Sequence, residues 1–184
     1  MPLETDAHIR SAVAVMQWVG FGILGLTTIL LQVRVGPLLE WHGMRPDWVL
    51  VLIVFYTLHT RGLGAVAGAW MLGLAMDLQS LERQGLVALS YTVAALLVVE
   101  VRGFVVPRSL SSQTIVTLFP AICVQAIWLI YRGVVHGGST SGWLAMILSA
   151  AGAAVYTAAF APLLHSALLA VSKLLGLRVR RSRR

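Results

Sequence analysis

The stretch Arg45-Pro46-Asp47-Trp48-Val49-Leu50-Val51-Leu52-Ile53-Val54-Phe55-Tyr56-Thr57-Leu58 decides the fold class. From Trp48 to Leu58 no side chain is charged, and the apolar residues are continuous rather than alternating, so neither an amphipathic surface helix nor a barrel strand fits. Pro46 suits a first helical turn, where its missing N–H costs nothing. Asp47 faces the positive end of the helix dipole, and Trp48 suits the headgroup level of a membrane. The polar group His59-Thr60-Arg61-Gly62 closes this run, and a third run, Leu63 to Leu78, is interrupted only by Asp77. The two spans are about 15 residues each, or ~22 Å of helix, against a hydrocarbon core of ~30 Å. They are either short spans with snorkelling ends or a hairpin dipping into the membrane. In both cases the chain returns to the side where it began.

Further apolar runs flank this centre. Ala12 to Val33 is uncharged and long enough to cross a bilayer. Its length, the absence of a small-x-small cleavage site and the acidic Glu4 and Asp6 in the leader speak for a retained first helix rather than a signal peptide. Arg34 to Asp47 is a polar break, in which Pro37 and Pro46 forbid a continuous helix. Leu86 to Val101, Ile115 to Tyr131 and Trp143 to Val171 supply the fourth, fifth and sixth runs, and Pro162 kinks or divides the last. The expected fold is an all-α integral membrane protein of about six transmembrane helices in one compact bundle. Residues 1–184 form a single membrane domain, with short tails at 1–11 and 172–184.

The composition agrees. Of 184 residues, 58% are hydrophobic and 11% charged; an average soluble domain has roughly a quarter charged. Too little interior exists in a soluble domain of this size to hide so much apolar surface, and the chain is too apolar to be disordered. The net charge of +7 does not point to nucleic acid, because five of the fourteen basic residues crowd into positions 178–184. That cluster reads as a cytoplasmic anchor for anionic lipid. With six spans, the side shared by both tails holds ten basic residues and the other holds Arg34, Arg45, Arg83 and Arg132, which places both tails in the cytoplasm.

The residues that carry chemistry elsewhere are sparse. Cys123 stands alone, so no internal disulfide and no cysteine metal site is possible. The five histidines lack metal-ligand spacing, and neither H-E-x-x-H nor a G-x-S-x-G elbow occurs. An enzyme is not expected, and no cofactor is implied. Asp77 is the residue of most interest, because intramembrane carboxylates are functional candidates; the plainer account is that it ends the third helix at the headgroup level. Gly64, Gly68 and Gly73 on the third helix, and Ala150, Ala154 and Ala158 on the sixth, form small-residue stripes. Such stripes permit close helix approach, within the bundle or with a partner's helix. Trp41, Trp48 and Trp143 suit interfaces, and Trp70, mid-span, is expected to pack.

Gln32, Arg45-Pro46-Asp47-Trp48-Val49-Leu50, Tyr56, Gly68-x-x-x-x-Gly73-x-x-x-Asp77-Leu78, Gly85-Leu86 and Tyr91, taken together, resemble the MreD family of rod shape-determining proteins. The likeness covers Leu31 to Val98; the second half is similar in hydropathy alone. The charged loop with Glu82 and Arg83, and Phe55-Tyr56 in the second helix, depart from the family's usual pattern. The resemblance implies a non-enzymatic scaffold of the bacterial inner membrane. Its partners would be the single-span protein MreC and, in the elongasome, MreB, RodA and a penicillin-binding transpeptidase. It also implies a fold similar to the substrate-binding subunits of energy-coupling-factor transporters, which supplies the alternative of a vitamin or metal transporter subunit. On this footing Asp77 and the Arg45–Asp47 turn share the outer side and are expected to meet, and the small-residue faces are expected to dock the MreC helix.

Overall fold

The computed structural model describes residues 2–41, 43–60, 63–79, 85–103, 110–135 and 142–174. His42, Arg61, Glu82, Arg83, Arg108, His136 and the arginines of 178–184 lie outside them. Among the described residues the chain forms six α-helices: α1 (Pro2–Val35), α2 (Trp48–His59), α3 (Leu63–Asp77), α4 (Leu86–Val101), α5 (Leu110–Val135) and α6 (Trp143–Leu174). A single 3-10 turn, Gly36–Leu39, follows α1. Helix α1 starts ten residues before the apolar run, since nothing after Pro2 breaks a helix and proline is favoured at its first position. Helix α6 passes through Pro162 as one element, and α5 contains Pro120.

Helix α2 is the axis of the bundle. It contacts α1, α3, α4, α5 and α6, and Val49 to Val54 are each at most 1% exposed. A helix that is apolar all round demands burial all round, and the neighbours provide it. This accounts for its length of 12 residues: an enclosed helix meets no lipid and need not match the bilayer. Trp48 is therefore buried at 8% exposure rather than placed at an interface. Trp70 differs in the opposite sense. It is half exposed, because α3 turns Trp70 and Met71 outward and packs its glycine face inward.

That glycine face sets the helix spacing. A Cβ on Gly73 would strike the backbone of Ala88, one on Gly68 would meet the ring of Phe21 at 2.8 Å, and one on Gly64 would touch Trp18. Gly73→Ala should therefore push α3 and α4 apart and cost about 1–3 kcal/mol, the range for overpacking a filled core. Unfolding of the purified protein in mixed micelles measures this, and an unchanged midpoint contradicts the close approach.

At its far end α2 is closed by charge. The Arg102 guanidinium donates to the carbonyl of Thr60 at 2.9 Å, a cation at the negative end of a helix.

Candidate functional site

A set of hydrogen-bonded polar residues within the bundle converges at the start of α2; Thr57, Thr117 and His165 are buried toward its other end. Gln32, in the last turn of α1, reaches across with both ends of its amide. Its Nε2 donates to the Pro46 carbonyl at 3.0 Å and its Oε1 accepts from the Trp48 N–H at 2.8 Å. It thereby holds the backbone on either side of Asp47, as a neighbouring strand would. Pro46 itself is fully buried, and its carbonyl is satisfied by this bond.

Asp47 uses both backbone and side chain. Its Oδ1 accepts from the Leu50 N–H at 3.0 Å, the N-cap of α2. The Tyr91 hydroxyl of α4 lies 2.9 and 2.8 Å from its two carboxylate oxygens. Its own N–H donates to Thr157 Oγ1 of α6 at 3.0 Å, and that hydroxyl in turn donates to the Ala153 carbonyl at 2.8 Å. One residue thus fastens α2 to α4 and α6, and Gln32 adds α1.

Asp77 ends α3, as expected, but it is 3% exposed rather than at a wet surface. Its carboxylate caps the next helix: Oδ1 accepts from the Val87 N–H at 3.0 Å and Oδ2 from the Ala88 N–H at 2.9 Å. The local sequence explains why. The residue before α4 is Gly85, at φ +90°, which has no side chain to cap with. The orphan donors of the first turn are met instead by a carboxylate from α3, at the positive end of the dipole. Asp77 and the Arg45–Asp47 turn are joined through α4, with Ala88 bound to Asp77 and Tyr91, one turn on, bound to Asp47. Arg45 stands apart: its Nε donates to Glu40 Oε2 at 2.6 Å on the exposed rim. A pair so exposed adds little stability.

The small-residue candidates lie within the bundle. Gly64, Gly68 and Gly73 face Trp18, Phe21 with Tyr56, and Ala88. Ala150, Ala154 and Ala158 are 7%, 1% and 1% exposed. Where a partner's helix would have to approach these stripes, helices of this chain already stand. Tyr91 belongs to the residues that carry the family resemblance, without a role attached to it, and Thr157 belongs to no motif. The signal for Thr157 is its place beside Tyr156 in an alanine-rich helix; the Tyr156 hydroxyl donates to the Leu39 carbonyl at 3.2 Å. Among the described residues no group of three His, Cys, Asp or Glu is placed to hold a metal ion.

Three of the helices are long and apolar enough to cross a bilayer, at Trp18–Leu39, Ser112–Val135 and Trp143–Val171, and the other three are shorter and apolar. Joined by a layer of interhelical hydrogen bonds, they define a multi-pass helical membrane protein. A family model described as rod shape-determining protein MreD matches residues 13–165. The chain belongs to the MreD family, and as a member it is a structural protein rather than an enzyme. The match takes in α5 and most of α6, well beyond Leu31 to Val98. No curated protein and no solved structure matches the chain.

Proposed function

We propose that this chain is a scaffold of the cell-wall elongation machinery in the bacterial inner membrane, binding an MreC-like single-span protein and helping to maintain rod shape. The family match over residues 13–165 carries this reading. The polar layer is in keeping with it: Gln32, Asp47, Tyr91, Thr157 and Asp77 spend their hydrogen bonds on fixing helices, as a rigid platform requires. Both tails lie in the cytoplasm in this reading, with the Asp47 layer toward the periplasm, and the basic tail rests on anionic lipid. MreB, RodA and a penicillin-binding transpeptidase are the wider partners.

Depletion of the protein should round rod-shaped cells, and a tagged copy should retain an MreC-like protein on purification. Reporter fusions at either tail should report the cytoplasm. Unchanged rods on depletion, with no such partner retained, would sink the proposal. A copurifying small molecule together with an ATPase module would favour instead a membrane subunit of an energy-coupling-factor type vitamin or metal transporter.

A further inference from the structure

The helices are unequal in length. The apolar spans of α5 and α6 have 24 and 29 residues, about 36 and 43 Å of helix, whereas α3 and α4 have 15 and 16, about 22 and 24 Å. Tilt alone can absorb excess length, so the register between helices decides what the inequality means.

Val54, Val98 and Val116 pack together and set α2, α4 and α5 level at one depth. Counted from there toward the Asp47 end, the start of α4 at Leu86 is level with Trp128 of α5. The seven residues from Leu129 to Val135 therefore continue about 10 Å beyond α4. On α6, Thr157 is level with Asp47 and Gly152 lies against Met44, so Trp143 to Ala151 extend in the same direction.

The tip of this hairpin bears the marks of a membrane interface. The Arg132 guanidinium lies 3.9 Å from the centre of the Trp128 ring, and Trp143 rests on Gly133. Helix α3 ends short of that level, at Asp77, with Leu78 beyond it 88% exposed. At the other end α2, α3, α4 and α5 finish near one level, with Arg102 closing α2 at Thr60, while α6 runs on to Leu174 and α1 begins at Pro2, well outside the Trp18 that touches Gly64 of α3. Most of the excess of the α5 and α6 spans over α4 falls at the Asp47 end, seven residues on α5 and nine on α6.

The shortest and longest of these helices, α3 and α6, stand on different sides of α2, with α4 and α5 packed together between them. Helix α3 packs on α2 and α4, while α6 packs on α2 and α5. Both edges, α3–α4 and α5–α6, present apolar side chains outward, Trp70, Met71, Leu89 and Leu96 on the short one, and Ile130, Val134, Leu144 and Leu148 on the long one.

From this we propose that the chain thins the lipid bilayer along its α3–α4 edge, by about 8 Å against a ~30 Å core. Were the bilayer to keep full thickness there, the last turn of α3 and the first turn of α4 would lie in hydrocarbon, where helix ends have no water to meet their unbonded backbone groups. The next loop also carries Glu82 and Arg83. Lipid drawn inward meets α3 and α4 at their own ends, while α5 and α6 span the undisturbed bilayer on their side. The surface is thus a lipid-binding edge that selects short or compressed acyl chains.

The test measures depth. The full chain carrying Cys123→Ser and either Leu78→Cys or Val134→Cys is spin-labelled and placed in vesicles of dioleoyl phosphatidylcholine. Collision with oxygen against a water-soluble nickel chelate gives the depth of each label, with Ile122→Cys as the mid-span control. Both rim labels should sit at the headgroup level. A Leu78 label about 9 Å deeper than the Val134 label, the step that six residues of helix leave in a flat bilayer, overturns the proposal. If the labelled variants do not fold, the unmodified chain is melted in lipids of 14-, 18- and 22-carbon chains. The midpoint should then be highest in the shortest lipid, and a flat or reversed order overturns it.

Discussion

Replacing Asp47 by alanine should destabilise the bundle by about 3 kcal/mol. Loss of an N-cap costs ~1 kcal/mol. The rest comes from the Tyr91 hydroxyl, which lies within hydrogen-bond distance of both Asp47 oxygens and would be left without its carboxylate; an unsatisfied buried donor costs ~1–3 kcal/mol. Tyr91→Phe alone should cost about 1 kcal/mol, within the range measured for hydrogen bonds between membrane helices. The double variant should be more stable than the sum of the two losses implies, because the phenol that Asp47→Ala strands is then absent. Reversible unfolding in mixed micelles measures all three. Strict additivity would mean that the two side chains do not act together.

Asp77→Ala should be of similar size, also about 3 kcal/mol. It removes two charge-assisted bonds to the first turn of α4, each worth ~1.5–3 kcal/mol before relaxation, from a position 3% exposed. Because Gly85 offers no substitute cap, the start of α4 should fray. Amide hydrogen exchange at Val87 and Ala88 should speed up together, while exchange in α6 stays as it was. Asp77→Asn keeps one acceptor and should recover part of the loss. If Asp77→Ala melts at the parental midpoint, the carboxylate is not the cap.

Much of this arrangement is legible in sequence where the signal is local. Pro46-Asp47-Trp48 marks the start of α2, and helix and cap both fall there. Asp77 marks the end of α3 for the same reason. Legibility fails where lipid and protein interior look alike to a side chain. Both are apolar, so hydropathy cannot tell the sheathed Trp48 from the exposed Trp70, and the two tryptophans exchange their expected places. It fails again for long-range pairing. Nothing near Asp77 reveals that its partners are backbone N–H groups, since the cue is an absence, the glycine at position 85. The stripes on α3 and α6 are visible as stripes, but whether they face inward depends on neighbours that only the fold supplies.

The sheath around α2 also has a consequence in time. Helix α2 is synthesised long before α6, and the Asp47 N–H waits for a hydroxyl 110 residues further along the chain. Until then a helix of 12 residues, about 18 Å, must sit in lipid that it is too short to span. The central helix is therefore the last to reach its final surroundings, and the protein is finished from the outside in. A nascent chain halted before α6 would hold the whole of α2 and still lack one wall of its enclosure.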